Sequence, residues 1–127
     1  MKKFQLLGLA YIKQIKKIIS LVQAHRGLTT AWKNGDSSQH TKLVKLKQQI
    51  SQETQKLVTS SVSENERFEA FSDHWQRLVK IDETISSSNS FEQHTKMIKN
   101  LAYMLEDTAE AHHLTASFVT EFINIGY

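Results

Sequence analysis

The stretch SLVQAHRGLTTAW, Ser20–Trp32, sets a permanent cation between a histidine and a glycine on an otherwise apolar helical row. Arg26 follows Ile12, Ile15, Ile19 and Val22 at alternating three- and four-residue spacing. That row predicts an inward position or a helix–helix seam. A guanidinium there has to be paired, because an unpaired buried charge is costly. Two chemistries would satisfy it. One is an internal ion pair with Asp82, the acid on the apolar row of a later segment. The other is an external anion held by two parallel hydrogen bonds, which suits the planar guanidinium fork. Gly27 costs a helix about 1 kcal/mol against alanine. Its presence implies that a neighbouring helix or a ligand comes close at this level. His25 and His94 are expected in or near the same layer, because the last helix should begin beside the end of the first.

The elements that must position these groups read as helices throughout. The first apolar stripe fades near Trp32, where Asn34-Gly35 supplies a stop. A second segment opens at Asp36-Ser37-Ser38 and carries Leu43, Leu46, Ile50 and Leu57. Ser63 with Glu66 three residues on forms a capping-box pattern for a third, carrying Phe68, Phe71, Trp75, Leu78, Asp82 and Ile85. The serine-rich run 86–90 ends it, and Ser90 is the expected cap of a fourth, with Phe91, Ile98, Leu105 and Val119 on one row and Leu101 and Phe122 beside it. No alternating stretch is long enough for a strand. The prediction is therefore an all-α, antiparallel up-down-up-down four-helix bundle, one domain over residues 1–127. Its first and fourth helices, at roughly 30 residues and about 45 Å, should exceed the middle pair, at roughly 22 residues.

Composition narrows the chemistry. The chain has no cysteine, which excludes disulfides, thiolate catalysis and cysteine-based metal sites, and no proline to interrupt long helices. The net charge of +3 is spread over helix faces and no base-reading module accompanies it, so no nucleic-acid partner is expected. The start MKKFQLLGLAYIKQIKK lacks a cleavage site, and nothing approaches a membrane span. The expectation is a soluble, cytoplasmic protein. There is no nucleophile elbow and no phosphate-cradling glycine loop, and none of the serines is placed for hydrolysis. The chain reads as a non-enzyme without cofactor.

Two further constellations carry recognisable spacing. Glu110 and His113 have the E-x-x-H spacing of di-iron carboxylate bundles, but such centres need a second motif and two further glutamates. The expected metal content is none. AHRGLTTA loosely resembles the phosphoacceptor motif of histidine phosphotransfer domains, with His25 as acceptor, yet lacks the lysine and glycine expected after it. Thr108, His112 and Thr115 form a polar patch on the fourth helix, read as hydroxyls bonding the preceding turn or as a small polar cavity.

LVQAHRGLTTAW resembles the first-helix signature of nitrate- and nitrite-sensing (NIT) domains, in which Gln23, Arg26 and Gly27 match and His25 stands where the family has glutamate. FEQHTKMIKNLAYML resembles a later helix of that family, with Thr95, Ile98 and Leu101 matching and His94 in place of a tyrosine. The resemblance covers the first half of such a sensor. It implies a helical, non-enzymatic ligand-sensing domain that binds a small oxyanion such as nitrate or nitrite through Arg26, with Gln23, His25, Gly27 and His94 around it. A homodimer bringing two arginines together, and a separate signalling output protein, complete that expectation.

Overall fold

The computed structural model describes residues 1–60, 64–115 and 117. Among the described residues lie the α-helices α1 (Lys3–Lys33), α2 (His40–Val58), α3 (Glu66–Ile81) and α4 (Ser87–Ala111). A short 3-10 turn, Ser37–Gln39, leads into α2. No strand occurs among the described residues. None of the described helices is long and apolar enough to cross a membrane.

Each boundary has a local cause. The first helix stops where Gly35 takes a φ of 110°, a backbone conformation that only glycine adopts without strain. The Asp36 amide then reaches back to the Ala31 carbonyl (3.0 Å) and the Gly35 amide to Trp32 (3.1 Å), closing the helix end. Asp36 itself accepts from the Ser38 amide and starts the 3-10 turn. The start of α3 corrects the expected capping box. Asn65 is the cap, accepting from the Arg67 amide at 2.8 Å, and Glu66 is the first helical residue. Ser63 lies outside the described residues. Nor does Ser90 cap α4. Ser86 does so, accepting from the Asn89 amide at 3.0 Å, and the helix begins at Ser87. The serine run is thus the first turn of α4, and Ser90 is buried inside it.

At 31 and 25 residues, α1 and α4 are the longest of these helices, with α2 and α3 at 19 and 16. Val119 and Phe122 lie outside the described residues. Phe4 stacks on His112 and His25 touches His94, so the start of α1 meets the end of α4 and the reverse. The same reversal relates α3 to α4, where Arg67 pairs with Asp107 and Asp82 meets Ser90. Lys17 reaches Glu53, and Trp32 lies against His40, which places α2 along α1. The core between these helices is built from Ile12, Ile15, Ile19 and Val22 of α1, Ile50 and Leu57 of α2, Phe71 and Leu78 of α3, and Met97, Leu101 and Met104 of α4. Phe91, expected on the core row, is instead 46% exposed.

Candidate functional site

The inward row of α1 does not end in arginine. After Val22 the helical period carries it through His25 and Thr29, both buried, and Arg26 falls one residue to the side, half-buried at the α1–α4 seam. Spacing alone allowed either residue, since both three- and four-residue steps belong to one helical face. The guanidinium Nη1 donates to Thr95 Oγ1 at 3.0 Å, and the plane lies 4.5 Å from the Phe91 ring centroid. The Thr95 hydroxyl donates in turn to the Phe91 carbonyl, which orients its lone pairs toward the arginine. Among the described residues no carboxylate forms an ion pair with Arg26. Burial pulls its pKa below the ordinary arginine value, yet it remains a cation at neutral pH.

The anticipated Arg26–Asp82 pair is therefore not formed. Asp82 lies at the C-cap of α3, where its carboxylate accepts from the Ser90 hydroxyl at 2.6 Å. Nor is the expected close approach at Gly27 made by any of the described residues. Gly27 is exposed, and a Cβ built on it would meet nothing within 4 Å. Gln23 sits about one turn before Arg26, half-buried.

His25 and His94 do share a layer, and it is a buried one. They are 2% and 0% exposed, beside Asp82 at 6%. His94 Nδ1 is 2.6 Å from the Ser90 carbonyl, which can only accept, so Nδ1 carries the proton and Nε2 is a lone pair. That lone pair receives the Nδ1–H of His25 at 2.7 Å. His25 Nε2 is then left buried with no hydrogen-bond partner among the described residues. The Trp75 ring meets the His25 ring nearly edge-on at 5.3 Å. Burial, then His94 and Lys47, push the His25 pKa down to about 3. Burial likewise lowers His94, against the opposing pull of the Ser90 carbonyl and Asp82. Both rings are neutral at physiological pH.

This burial bears on the other constellations. A phosphoacceptor must meet a receiver domain, and a His25 ring sealed between α1, α3 and α4 offers no such face. The E-x-x-H pair is not assembled either: Glu110 is exposed, and His113 lies past the end of α4 with a φ of 57°. In the polar patch, Thr108 bonds the Met104 carbonyl at 2.8 Å and His112 the Thr108 carbonyl at 2.8 Å, while Thr115 is exposed. Those hydroxyl and ring bonds close on the preceding turn.

Comparison of the chain with protein-family models, curated proteins and solved structures gives no match.

Ser90, Phe91 and Thr95 complete the two layers and were missed as site residues. Their signal was present: Ser90 with His94, and Phe91 with Thr95, are both one helical turn apart, the spacing at which side chains meet. The expectation of Ser90 as the cap of the fourth helix hid it.

Proposed function

We propose that the chain is a non-enzymatic ligand-sensing domain that binds a small oxyanion at Arg26. In that reading residues 1–127 form one up-down-up-down antiparallel bundle of a cytoplasmic protein. The observation that carries it is a guanidinium pinned from two sides, by Thr95 and Phe91, with no carboxylate among the described residues to neutralise it. Structural arginines at helix seams ordinarily close on an acid. This one is oriented by a neutral hydroxyl and an aromatic face, which fix its plane and leave its charge unspent. The resemblance of Gln23, Arg26 and Gly27 to the NIT signature points to nitrate or nitrite as the anion.

The arginine lies on a seam and not in a deep pocket, so one chain encloses an anion only in part. A second copy related by two-fold symmetry would bring a second Arg26 to the same ion, and the bare Cα of Gly27 beside it leaves room for that contact. A separate output protein would read the resulting change.

The test is a melting-temperature screen with nitrate, nitrite, phosphate and dicarboxylates. A ligand at 100 times its dissociation constant stabilises by about 2.7 kcal/mol. Arg26→Ala abolishes the shift and keeps the helical spectrum. Arg26→Lys restores little, because a point charge lacks the bidentate fork. Identical anion shifts in Arg26→Ala, or no shift across the panel, reject the reading.

A further inference from the structure

The buried layer behind Arg26 carries a second kind of chemistry. A ring nitrogen of His25, a ring nitrogen of His94 and a carboxylate oxygen of Asp82 all lie within 4.8 Å of one another. They come from α1, from α4 and from the C-cap of α3, so three separate helices converge on one point. We propose that His25, His94 and Asp82 form a buried site for a divalent transition ion of the zinc class, with water as the fourth ligand.

Two observations support the assignment. First, hydrogen bonds already present orient two of the ligands. The Ser90 carbonyl takes the Nδ1–H of His94 and so points its Nε2 lone pair at His25, while the Ser90 hydroxyl holds one oxygen of Asp82. Metal-bound histidines are held by just such a carbonyl on the far nitrogen. Second, a cavity of about 20 Å³ abuts the layer, its polar lining supplied by His25, Thr29, His40, Lys47, Asp82 and Glu83. That is room for one water.

The charges and the geometry fit with one small movement. Asp82 supplies the buried negative charge. Two nitrogens at 2.0–2.1 Å from a tetrahedral centre stand about 3.3 Å apart. In the structure the two ring nitrogens are 2.7 Å apart, sharing a proton. On binding, the rings part by about 0.6 Å as the ion takes the position of that proton. The His25 proton passes to its own Nε2 by tautomer exchange, and no other proton need be lost. Imidazole and carboxylate without sulfur suit zinc, cobalt or nickel, and exclude the soft thiolate-preferring ions.

The experiment titrates the chelator-treated full chain with Co²⁺, followed by visible absorption, and then displaces it with Zn²⁺. One ion per chain with a tetrahedral spectrum is expected. Asp82→Asn is the principal variant, since asparagine still accepts from Ser90 and spares the fold. Its affinity falls by at least about 100-fold, beyond what loss of an outer-sphere partner causes. His113→Ala, at an exposed histidine outside the layer, leaves binding unchanged. A second measurement needs no variant: ¹¹³Cd bound to the wild-type chain should show scalar coupling to the ring nitrogens of His25 and His94. Absence of saturable binding, undiminished binding by Asp82→Asn, or coupling to His40, His74 or His113 instead would overturn the proposal.

Discussion

Two helical glycines on α1 should respond to alanine in opposite directions. A Cβ at Gly8 would lie 2.4 Å from His112 Cβ and 2.5 Å from its Cγ. Carbon atoms ordinarily approach to about 3.5–4.0 Å, so more than an ångström of separation has to be recovered. The obstructing atoms sit at the root of the His112 side chain, which is held by its Nδ1 on Thr108 and by stacking on Phe4. Relief therefore requires the end of α4 to move off α1. Overpacking of this kind costs about 1–3 kcal/mol, and so severe a contact belongs at the upper end. Alanine returns about 1 kcal/mol of helix propensity, leaving a net loss of about 2 kcal/mol for Gly8→Ala. At Gly27 nothing lies within 4 Å, so Gly27→Ala keeps the propensity gain and stabilises by about 0.5–1 kcal/mol. Urea unfolding followed by circular dichroism measures both, and the two variants should differ by about 3 kcal/mol. A neutral or stabilising Gly8→Ala would refute the packing of the start of α1 on the end of α4. A destabilising Gly27→Ala at high dilution would show that a surface of the same chain covers that glycine.

Lys33 donates to the carbonyls of Asp82 and Ile85, satisfying the open end of α3 from the end of α1. Lys33→Met should cost about 1.5–3 kcal/mol in thermal unfolding, as loss of charge-assisted bonds does, and a change below a few tenths would show that water replaces the lysine without penalty. Glu53 is held below the ordinary carboxylate range chiefly by the Lys17 hydrogen bond, aided by Lys56. A carboxylate depressed on folding stabilises above its unfolded pKa and loses that contribution as pH falls through the folded value. Lys17→Met should therefore cost about 0.5 kcal/mol at pH 7 and nothing once Glu53 is protonated. A difference that persists unchanged to pH 3 would assign the effect to the lysine stem's packing.

The helices and most of the core were legible because their information is local and periodic. Ile12, Ile15, Ile19 and Val22, or Phe68, Phe71, Trp75 and Leu78, announce a buried face by spacing alone, and each is buried. Asn34-Gly35 announces a stop because only glycine tolerates the required φ. Two kinds of information were not local. Helix ends are decided by competition between neighbouring caps, and Ser86 prevails over Ser90 because Ser90 is drawn inside by Asp82 on another helix. The terminus of α3 is likewise set from α1, by Lys33. Which of two adjacent residues faces inward is decided by the partner helix. His25 goes in because α4 presents His94 there, and Arg26 goes to the side because α4 presents Thr95. Phe91 reads as a core residue from its type, but its ring is used to cover a cation.

That one-residue offset makes the two sites separable. His25-Arg26 on α1 lies in register with His94-Thr95 on α4, the histidines inside and the arginine and threonine on the seam. Arg26 is close enough to His94 to lower its pKa, so its charge opposes any positive charge at that ring. Removing it with Arg26→Ala should leave Co²⁺ binding intact or strengthen it, while abolishing the anion shift. Asp82→Asn should do the reverse, losing the ion and keeping the anion response. The same offset predicts what happens when the register itself moves. A change that slides α1 along α4 would disturb both pairs together. If Arg26→Ala weakened Co²⁺ binding and Asp82→Asn weakened the anion response to the same extent, inner and outer layers would be one cooperative unit, and their assignment to two distinct ligands would fail.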